Sequence, residues 1–123
     1  MVIERLEKYD QDKYCRVTKC NKEIFVEAET GYDFSGVFHG EGDVKVQTVQ
    51  ACDNILTLLR AAGSSVKALC KISIYVADAK DAKTALDVVA EKFGEAKPAM
   101  SCFSVDLEEE KMLVKLDAEA YAE

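Results

Sequence analysis

Residues 47–62, QTVQACDNILTLLRAA, carry the clearest helical pattern in the chain. Apolar side chains recur there at steps of three and four positions, at Val49, Cys52, Ile55, Leu56, Leu59 and Ala62. This spacing predicts a single apolar stripe along a helix over 44–62. Asp43 stands where an N-cap residue belongs, and Gly63 stands where a glycine ends many helices.

Residues 66–78, VKALCKISIYVAD, follow the helix with a different period. Apolar residues alternate with others over this segment, so that Cys70, Ile72, Ile74 and Val76 share one face, opposite Lys71, Ser73 and Tyr75. Alternation with a period of two predicts a strand with one buried face. A helix followed directly by such a strand indicates a layer of helix packed on a sheet.

A second helix and a strand are predicted next. The helix runs over about 79–93, with Asp78 as its cap and an apolar stripe of Ala82, Ala85, Leu86, Val89 and Phe93. The strand lies in EAKPAMSCFSVDL, residues 95–107, and begins at Pro98, because the first position of a strand tolerates proline. One of its faces carries Met100, Cys102 and Ser104.

The remaining strands are predicted at the two ends of the chain. Residues 12–30 contain two strands joined by a turn at CNKE, and residues 112–122 form a last strand after the charged turn EEEK. The glycine-rich segment 31–43 is a loop that either lines a site or only connects elements. The order β-β-α-β-α-β-β predicts an α+β fold, with a mixed sheet and both helices on one face.

The second face of this sheet has no helix to cover it. The side chains expected there include Ser73, Tyr75, Phe103 and Val105, although the pattern does not fix the face of each. A sheet of this size with one bare, partly apolar face is often covered by copies of the same chain. The pattern alone therefore favours a homo-oligomer.

Length and composition restrict the class of protein. A chain of 123 residues forms one domain, over 1–123, and buries a core without help from metals or disulfides. Its net charge of −7 argues against binding nucleic acid, whose phosphates require clustered Lys and Arg. No apolar run is long enough for a membrane span, and the charged N-terminal segment has no secretory signal. A cytoplasmic protein is the expectation.

The cysteines and the single histidine do not form a recognisable site in the sequence. Five cysteines, at 15, 20, 52, 70 and 102, include no C-x-x-C pair, and His39 lies in the glycine-rich loop. This spacing favours small, mostly buried thiols in a reducing compartment over disulfides or a metal site. Cys102 would be a reactive nucleophile only if a cation such as Lys115 shared its cleft.

Taken together, these segments resemble the Rid family, also called the YjgF or reactive intermediate deaminase family. The likeness lies in the helix start QTVQACDN, the turn AAGSS, the strand end YVAD, and the pair of segments KPAMSCFSV and LVKLDAEA. It runs from about residue 14 to residue 120. The resemblance implies a chorismate-mutase-like fold and a homotrimer whose sheets form a central barrel, with small-ligand pockets in the clefts between subunits.

Active members of this family hydrolyse reactive enamines and imines, such as 2-aminoacrylate, to 2-oxo acids and ammonia, and no cofactor or metal is implied. An arginine in a P-A-R-S-C motif grips the substrate carboxylate, because a guanidinium offers a planar pair of charged donors. In this chain Met100 stands at that position, and a thioether has neither charge nor N–H group. Lys115 stands where the family carries a water-positioning glutamate.

The resemblance implies a ligand pocket at matching positions: Tyr14, Asp87, Met100, Ser101, Cys102, Lys115 and Asp117. The segment Glu27-Ala28-Glu29 replaces a family S-G-Q stretch and adds negative charge near the mouth of the pocket. The expected function is small-molecule binding between subunits without imine deaminase activity.

Two alternatives stay open. Lys115, expected on a strand adjacent to that of Met100, could replace the arginine as the anion-binding cation and retain hydrolase activity. The chain could also be a protein-interaction or holdase module.

Overall fold

The computed structural model describes residues 2–9 and 13–123 of the chain. Its elements, in chain order, are β1 (Ile3–Tyr9), β2 (Tyr14–Cys20), β3 (Glu23–Glu29), α1 (Val44–Ala61), β4 (Leu69–Val76), α2 (Ala82–Phe93), β5 (Ala99–Ser104) and β6 (Val114–Tyr121). Among the described residues, no helix is both long enough and apolar enough to cross a bilayer.

The strands form one six-stranded sheet in the order β1-β2-β3-β6-β4-β5. The β4/β5 pair is parallel and the other pairs are antiparallel. Helix α1 packs on β3 and β6, and α2 packs on β4 and β5. The predicted α+β fold, a mixed sheet with two helices, is confirmed. We call the sheet surface opposite the helices the open face.

Strand β1 is the element that the sequence did not predict. Its segment, IERLEKY, is mostly charged, and its aliphatic residues Ile3 and Leu6 lie three positions apart, which does not fit the period of two of a strand. The strand lies at the edge of the sheet and pairs only with β2, from Ile3 opposite Cys20 to Tyr9 opposite Tyr14. Such a strand is held by backbone hydrogen bonds to its neighbour more than by burial of its own side chains.

Helix α1 lies where the sequence placed it. The side chain of Asp43 accepts a hydrogen bond from the backbone N–H of Val46 at 3.1 Å and so caps the first turn. Gly63 follows the helix with φ of 82°, a conformation that glycine adopts without strain. The buried stripe is Ala51, Cys52, Ile55, Leu58, Leu59 and Ala62, whereas the predicted Val49 and Leu56 lie at its half-buried border.

Helix α2 begins three residues later than predicted. Asp78 caps a short 3₁₀ turn over Ala79–Asp81, accepting a hydrogen bond from the N–H of Lys80 at 3.0 Å. The α-helix proper starts at Ala82 and buries Ala85, Val88, Val89 and Phe93. These side chains join the core between the helices and the inner faces of β3, β4 and β6.

A bulge in β4 overturns the predicted face of Cys70. Against β6, Leu69 lies opposite Ala120 and Lys71 lies opposite Glu119, so β4 carries one extra residue there. Leu69 takes the buried position and Cys70 is exposed. The prediction of mostly buried thiols is also wrong, because only Cys52 is buried and the thiols at 15, 20 and 102 are half-buried.

Candidate functional site

Two aromatic rings and a lysine meet on the open face. The rings of Tyr75 and Phe103 stack with centroids 5.8 Å apart, and the ammonium of Lys115 lies 5.4 Å from the Tyr75 centroid. Half of the Phe103 side chain is exposed to solvent, at 51%. The open face is therefore apolar near β5 and charged near β6.

Two carboxyl groups lie side by side on the same face. Glu27 of β3 makes a hydrogen bond to Asp117 of β6, and burial together with this neighbour raises the pKa of Glu27 to about 7. Asp117 also accepts a hydrogen bond from the backbone N–H of Ala28 at 2.8 Å and bonds to the Tyr75 hydroxyl. A carboxyl group with a pKa near neutrality is able to hold or release a proton at physiological pH.

Lys115 is engaged by a carboxylate of its own chain. Its Nζ donates to Oε1 of Glu108 at 2.9 Å, and 22% of its side chain is exposed. Burial acts to lower the pKa of Lys115, but the bond to Glu108 and the nearby carboxylates outweigh it and raise the pKa. The lysine therefore stays protonated and cannot serve as a general base.

A cavity of about 310 Å³ opens beside the ends of β2 and β3, and we call it the β2–β3 cavity. Its walls come from the two strands and from the segment between β5 and β6: Tyr14, Cys15, Arg16, Glu27, Ala28, Thr30, Glu108, Glu109 and Met112. A smaller hollow of about 200 Å³ lies on the open face and shares Glu27 with it.

Arg16, in the wall of the β2–β3 cavity, forms an ion pair with the buried Glu29 behind it. Arg16 donates from Nε to Oε2 of Glu29 at 3.0 Å and from a terminal nitrogen to Oε1 at 2.5 Å. The Glu29 side chain is fully buried, whereas 12% of the Arg16 side chain is exposed. Burial raises the pKa of Glu29, while Arg16 acts in the opposite direction. The Phe34 ring lies 4.4 Å from the guanidinium carbon.

The bulge in β3 explains why Glu29 is buried. Val26 lies opposite Ala118 and Glu29 lies opposite Leu116. Strand β3 therefore advances three residues where β6 advances two, so β3 carries one extra residue. The extra residue turns Glu29 to the helix side, where its carboxylate also bonds to Asn54 of α1. The expectation that Glu29 adds negative charge at the mouth is therefore wrong, because Arg16 neutralises it below the surface.

Met100 and Cys102 lie on the helix side of the sheet. In the parallel β4/β5 register, Met100 is the partner of Ile72 and Cys102 is the partner of Ile74, and both isoleucines belong to the core. Met100 is 37% exposed because β5 is an edge strand. Burial raises the pKa of the Cys102 thiol.

The alternative that Lys115 replaces the arginine requires Lys115 to lie beside Met100, and within one chain it does not. Strand β4 separates β5 from β6, so the expectation that Lys115 lies on the strand next to Met100 is wrong. The two residues also lie on opposite faces, since Lys115 contacts Tyr75 on the open face. For the same reason, Lys115 does not face the Cys102 thiol within a subunit.

The other predicted residues are distributed around the molecule. Tyr14 is 55% exposed and lines the β2–β3 cavity. Ser101 is paired in register with Ser73, on the open face. Asp87 lies on the exposed side of α2, where it accepts from Lys83 at 2.7 Å. Within one chain, the structure thus brings Lys115 and Asp117 together and leaves Met100 and Asp87 apart from them.

Sequence reasoning missed three interactions that shape the site. These are the Glu27–Asp117 carboxyl pair, the Arg16–Glu29 ion pair and the Lys115–Glu108 ion pair. Each joins segments distant in sequence. The unusual Glu27-Ala28-Glu29 segment was the available signal, but a one-residue bulge decided where each side chain points.

Comparison with known proteins gives one family. The family model described as endoribonuclease L-PSP matches residues 7–122. A RutC family protein of Pyrococcus horikoshii is 33% identical over 110 residues, which cover 89% of this chain and 87% of that protein. The chloroplastic reactive intermediate deaminase A of Arabidopsis thaliana is 31% identical over 93 residues, covering 75% of this chain and 49% of that protein.

Solved structures share the fold over almost the whole chain. A YjgF family member from Mycobacterium tuberculosis is 25% identical with a TM-score of 0.85, covering 98% of this chain and 100% of that chain. A Rid family protein from Yersinia pestis has a TM-score of 0.88 at 20% identity, with the same coverage, and supports the fold alone.

Proposed function

The chain belongs to the endoribonuclease L-PSP family, and on this basis we propose that it is a homotrimeric Rid-type protein without imine deaminase activity. Its small-molecule pockets would lie in the clefts between subunits. The observation that carries this proposal is Met100, at the position of the arginine in the motif Pro98-Ala99-Met100-Ser101-Cys102.

The chemistry at this position decides whether a carboxylate-bearing imine is held. A guanidinium donates two parallel hydrogen bonds to a carboxylate and stays charged at every relevant pH. The Met100 thioether offers no donor, and its neighbours on the helix side are Ile72 and Ile74 in register with β5. A negatively charged substrate would lose its hydration there without gaining a partner.

The assembly in this proposal is supported by the open face. Phe103, Tyr75 and Tyr121 present aromatic rings on a sheet surface that neither α1 nor α2 covers. Apolar area exposed in this way is stabilised when another copy covers it. Such packing would also place Met100 of one subunit near residues of a neighbouring subunit, because β5 is the edge strand.

The pocket proposal draws on the residues implied by the family resemblance. Tyr14, at one end of β2, and Asp87, on the outer surface of α2, are both exposed in the single chain. Exposed positions far apart on one subunit are able to contribute to a shared cleft only across a subunit boundary. The rest of its wall would be supplied by Met100, Ser101, Cys102, Lys115 and Asp117.

The alternative that Lys115 binds the substrate carboxylate is less well supported. Within a subunit Lys115 lies on the face opposite Met100, and its ammonium is already paired with Glu108 at 2.9 Å. An incoming carboxylate would have to displace an internal one. The proposal also excludes RNA as a substrate, despite the description of the family model, because the chain carries a net charge of −7.

An assay of imine hydrolysis tests the proposal. The purified protein is mixed with 2-aminoacrylate, generated in place by a pyridoxal-phosphate-dependent lyase, and pyruvate release is followed. We expect the wild-type chain to leave the rate unchanged. The double variant Met100→Arg, Lys115→Glu should accelerate release by about tenfold or more, because it regains a charge-assisted carboxylate contact.

A matched variant separates chemistry from a general effect of mutation. Met100→Leu with Lys115→Gln changes the same positions without supplying a guanidinium or a carboxylate, and should remain inactive. Acceleration by the wild-type chain comparable to that of an arginine-bearing relative would contradict the proposal. If Lys115→Ala then abolished this activity, Lys115 would be the anion-binding cation.

A further inference from the structure

We propose that the β2–β3 cavity binds a small organic cation, such as a protonated primary amine, in preference to a carboxylate. This inference deepens the proposed function and rests on it in one respect, that the cavity remains accessible in the assembled protein. It concerns the chemical class of the ligand. The proposed function states that a carboxylate is not held at Met100, but it does not state what is bound instead.

The first argument is that the arginine in the cavity wall is already occupied. Both carboxylate oxygens of Glu29 accept hydrogen bonds from Arg16, at 3.0 and 2.5 Å. This is the two-pronged geometry that a bound carboxylate would otherwise take. Because Glu29 is fully buried, it cannot turn away into solvent to release the guanidinium. The chain thus supplies its own anion at this position.

The second argument is an excess of carboxyl groups over cations. It holds for the described side chains that line the cavity, counted together with the residues that form ion pairs with them. Lys115 is paired with Glu108 at 2.9 Å, and Lys111 lies 3.9 Å from Glu109. Glu27 faces the carboxyl group of Asp117, which is its hydrogen-bond partner, together with Glu119, and the Lys115 ammonium offsets these two acids only in part. A bound cation would offset the negative charge of Glu27 and Asp117, whereas a bound anion would add to the repulsion between them.

The third argument concerns the uncharged part of the ligand. Met112 is 8% exposed and contributes apolar surface, and the half-exposed Tyr14 ring lies in the same wall. An aromatic ring and a thioether favour an apolar stem, and the tyrosine ring adds attraction for a cation near its face. A volume of about 310 Å³ suits a molecule of a few to about ten heavy atoms.

The test uses three probes of nearly equal shape: benzylamine, benzyl alcohol and benzoate. Binding to the assembled protein is measured at about pH 8 by titration calorimetry and by NMR shifts of the backbone amides of Tyr14, Thr30 and Met112. We expect benzylamine to bind at least about tenfold more tightly than benzoate, with benzyl alcohol between them. Glu27→Gln should weaken benzylamine binding by about fivefold and leave benzyl alcohol unchanged.

Two further variants sharpen the result. Glu91→Gln removes a carboxylate from the exposed surface of α2 and should change no affinity, which controls for the overall charge of the protein. Glu29→Gln should increase benzoate affinity, because it releases the Arg16 guanidinium. If this variant fails to fold, the Glu27→Gln comparison still decides the question.

Titration adds an independent readout. Because the pKa of Glu27 is raised to about 7, benzylamine affinity should increase as the pH rises from about 6 to about 8. Glu27→Gln should abolish this increase. Equal affinity for benzylamine and benzoate, tighter binding of benzoate, or no binding of any probe would overturn the inference.

The outcome is distinguishable from failure of the proposed function. A trimer that releases no pyruvate and binds no amine refutes the ligand class alone. A monomeric or deaminating protein refutes the proposed function, whatever the probes do.

Discussion

At the scale of single residues, Glu27 shows how a neighbour changes the chemistry of a side chain. An isolated glutamate on a strand is ionised at neutral pH. Here burial and the adjacent Asp117 carboxyl raise the pKa of Glu27 from 4.5 to about 7. The proton that Glu27 retains lets two acids share one site, which would otherwise be repulsive.

This shift predicts a pH dependence of stability. The folded chain holds the Glu27 proton more tightly than the unfolded chain, so the associated stability is greatest below about pH 4.5 and is lost as the pH rises through about 7. Relative to Glu27→Gln, the wild-type chain should therefore lose about 1 kcal/mol between about pH 5 and about pH 8, a value reduced by solvent screening. Urea unfolding at equal protein concentration measures this difference. Parallel pH profiles for the two proteins would contradict it.

At the scale of elements, the bulge in β3 is the feature that builds the site. Ala28 adopts φ of 61°, which an L-residue with a Cβ takes at a cost, and its N–H bonds to Asp117. This strained residue turns Glu27 to the open face and Glu29 to the helix side. Without the extra residue, the alternation of the strand would place Glu27 and Glu29 on one face.

The strain predicts that glycine is preferred at this position. Ala28→Gly should raise the free energy of unfolding by about 0.5–1 kcal/mol, because glycine adopts positive φ without a steric penalty. Ala118→Gly, in β6, is the matched control and should lower it, since Ala118 has no positive φ and is buried. Chemical denaturation measures both changes. A loss of stability in Ala28→Gly would show that the bulge is not strained.

At the scale of the whole molecule, the proposed assembly depends on the open face. The Tyr75–Phe103 stack lies on a surface that the helices leave bare, whereas the opposite surface carries the core. Burial of such rings between subunits is favourable, and burial of a new charge there is costly.

Replacing one ring should therefore break the assembly. In sedimentation velocity at micromolar concentration, we expect the wild-type chain to sediment as the proposed trimer and Phe103→Glu to sediment as a monomer. Val46→Glu, on an exposed position in the first turn of α1, adds the same charge elsewhere and should leave the trimer intact. Dissociation by both variants, or by neither, would argue against assembly through the open face.

The layers of this protein could be predicted from local patterns in its sequence. The helical stripe of α1, the alternation in β6 and the caps at Asp43 and Asp78 are local properties, because they depend on side chains a few positions apart. Family membership was also present in the sequence, through short motifs such as PAMSC. Met100, on which the proposed loss of deaminase activity rests, was also visible there, since it requires only the identity of one residue.

The contacts between charged side chains, in contrast, depend on the folded chain. One extra residue in β3 and one in β4 reversed the faces of Glu29 and Cys70, and the sheet order placed β4 between Met100 and Lys115. Bulges and strand order arise from pairing between segments far apart in the chain, so no local period records them. For this reason the sequence indicated a pocket and an absent arginine, whereas the neutralisation of Arg16 and the pairing of Glu27 with Asp117 emerged only in the folded chain.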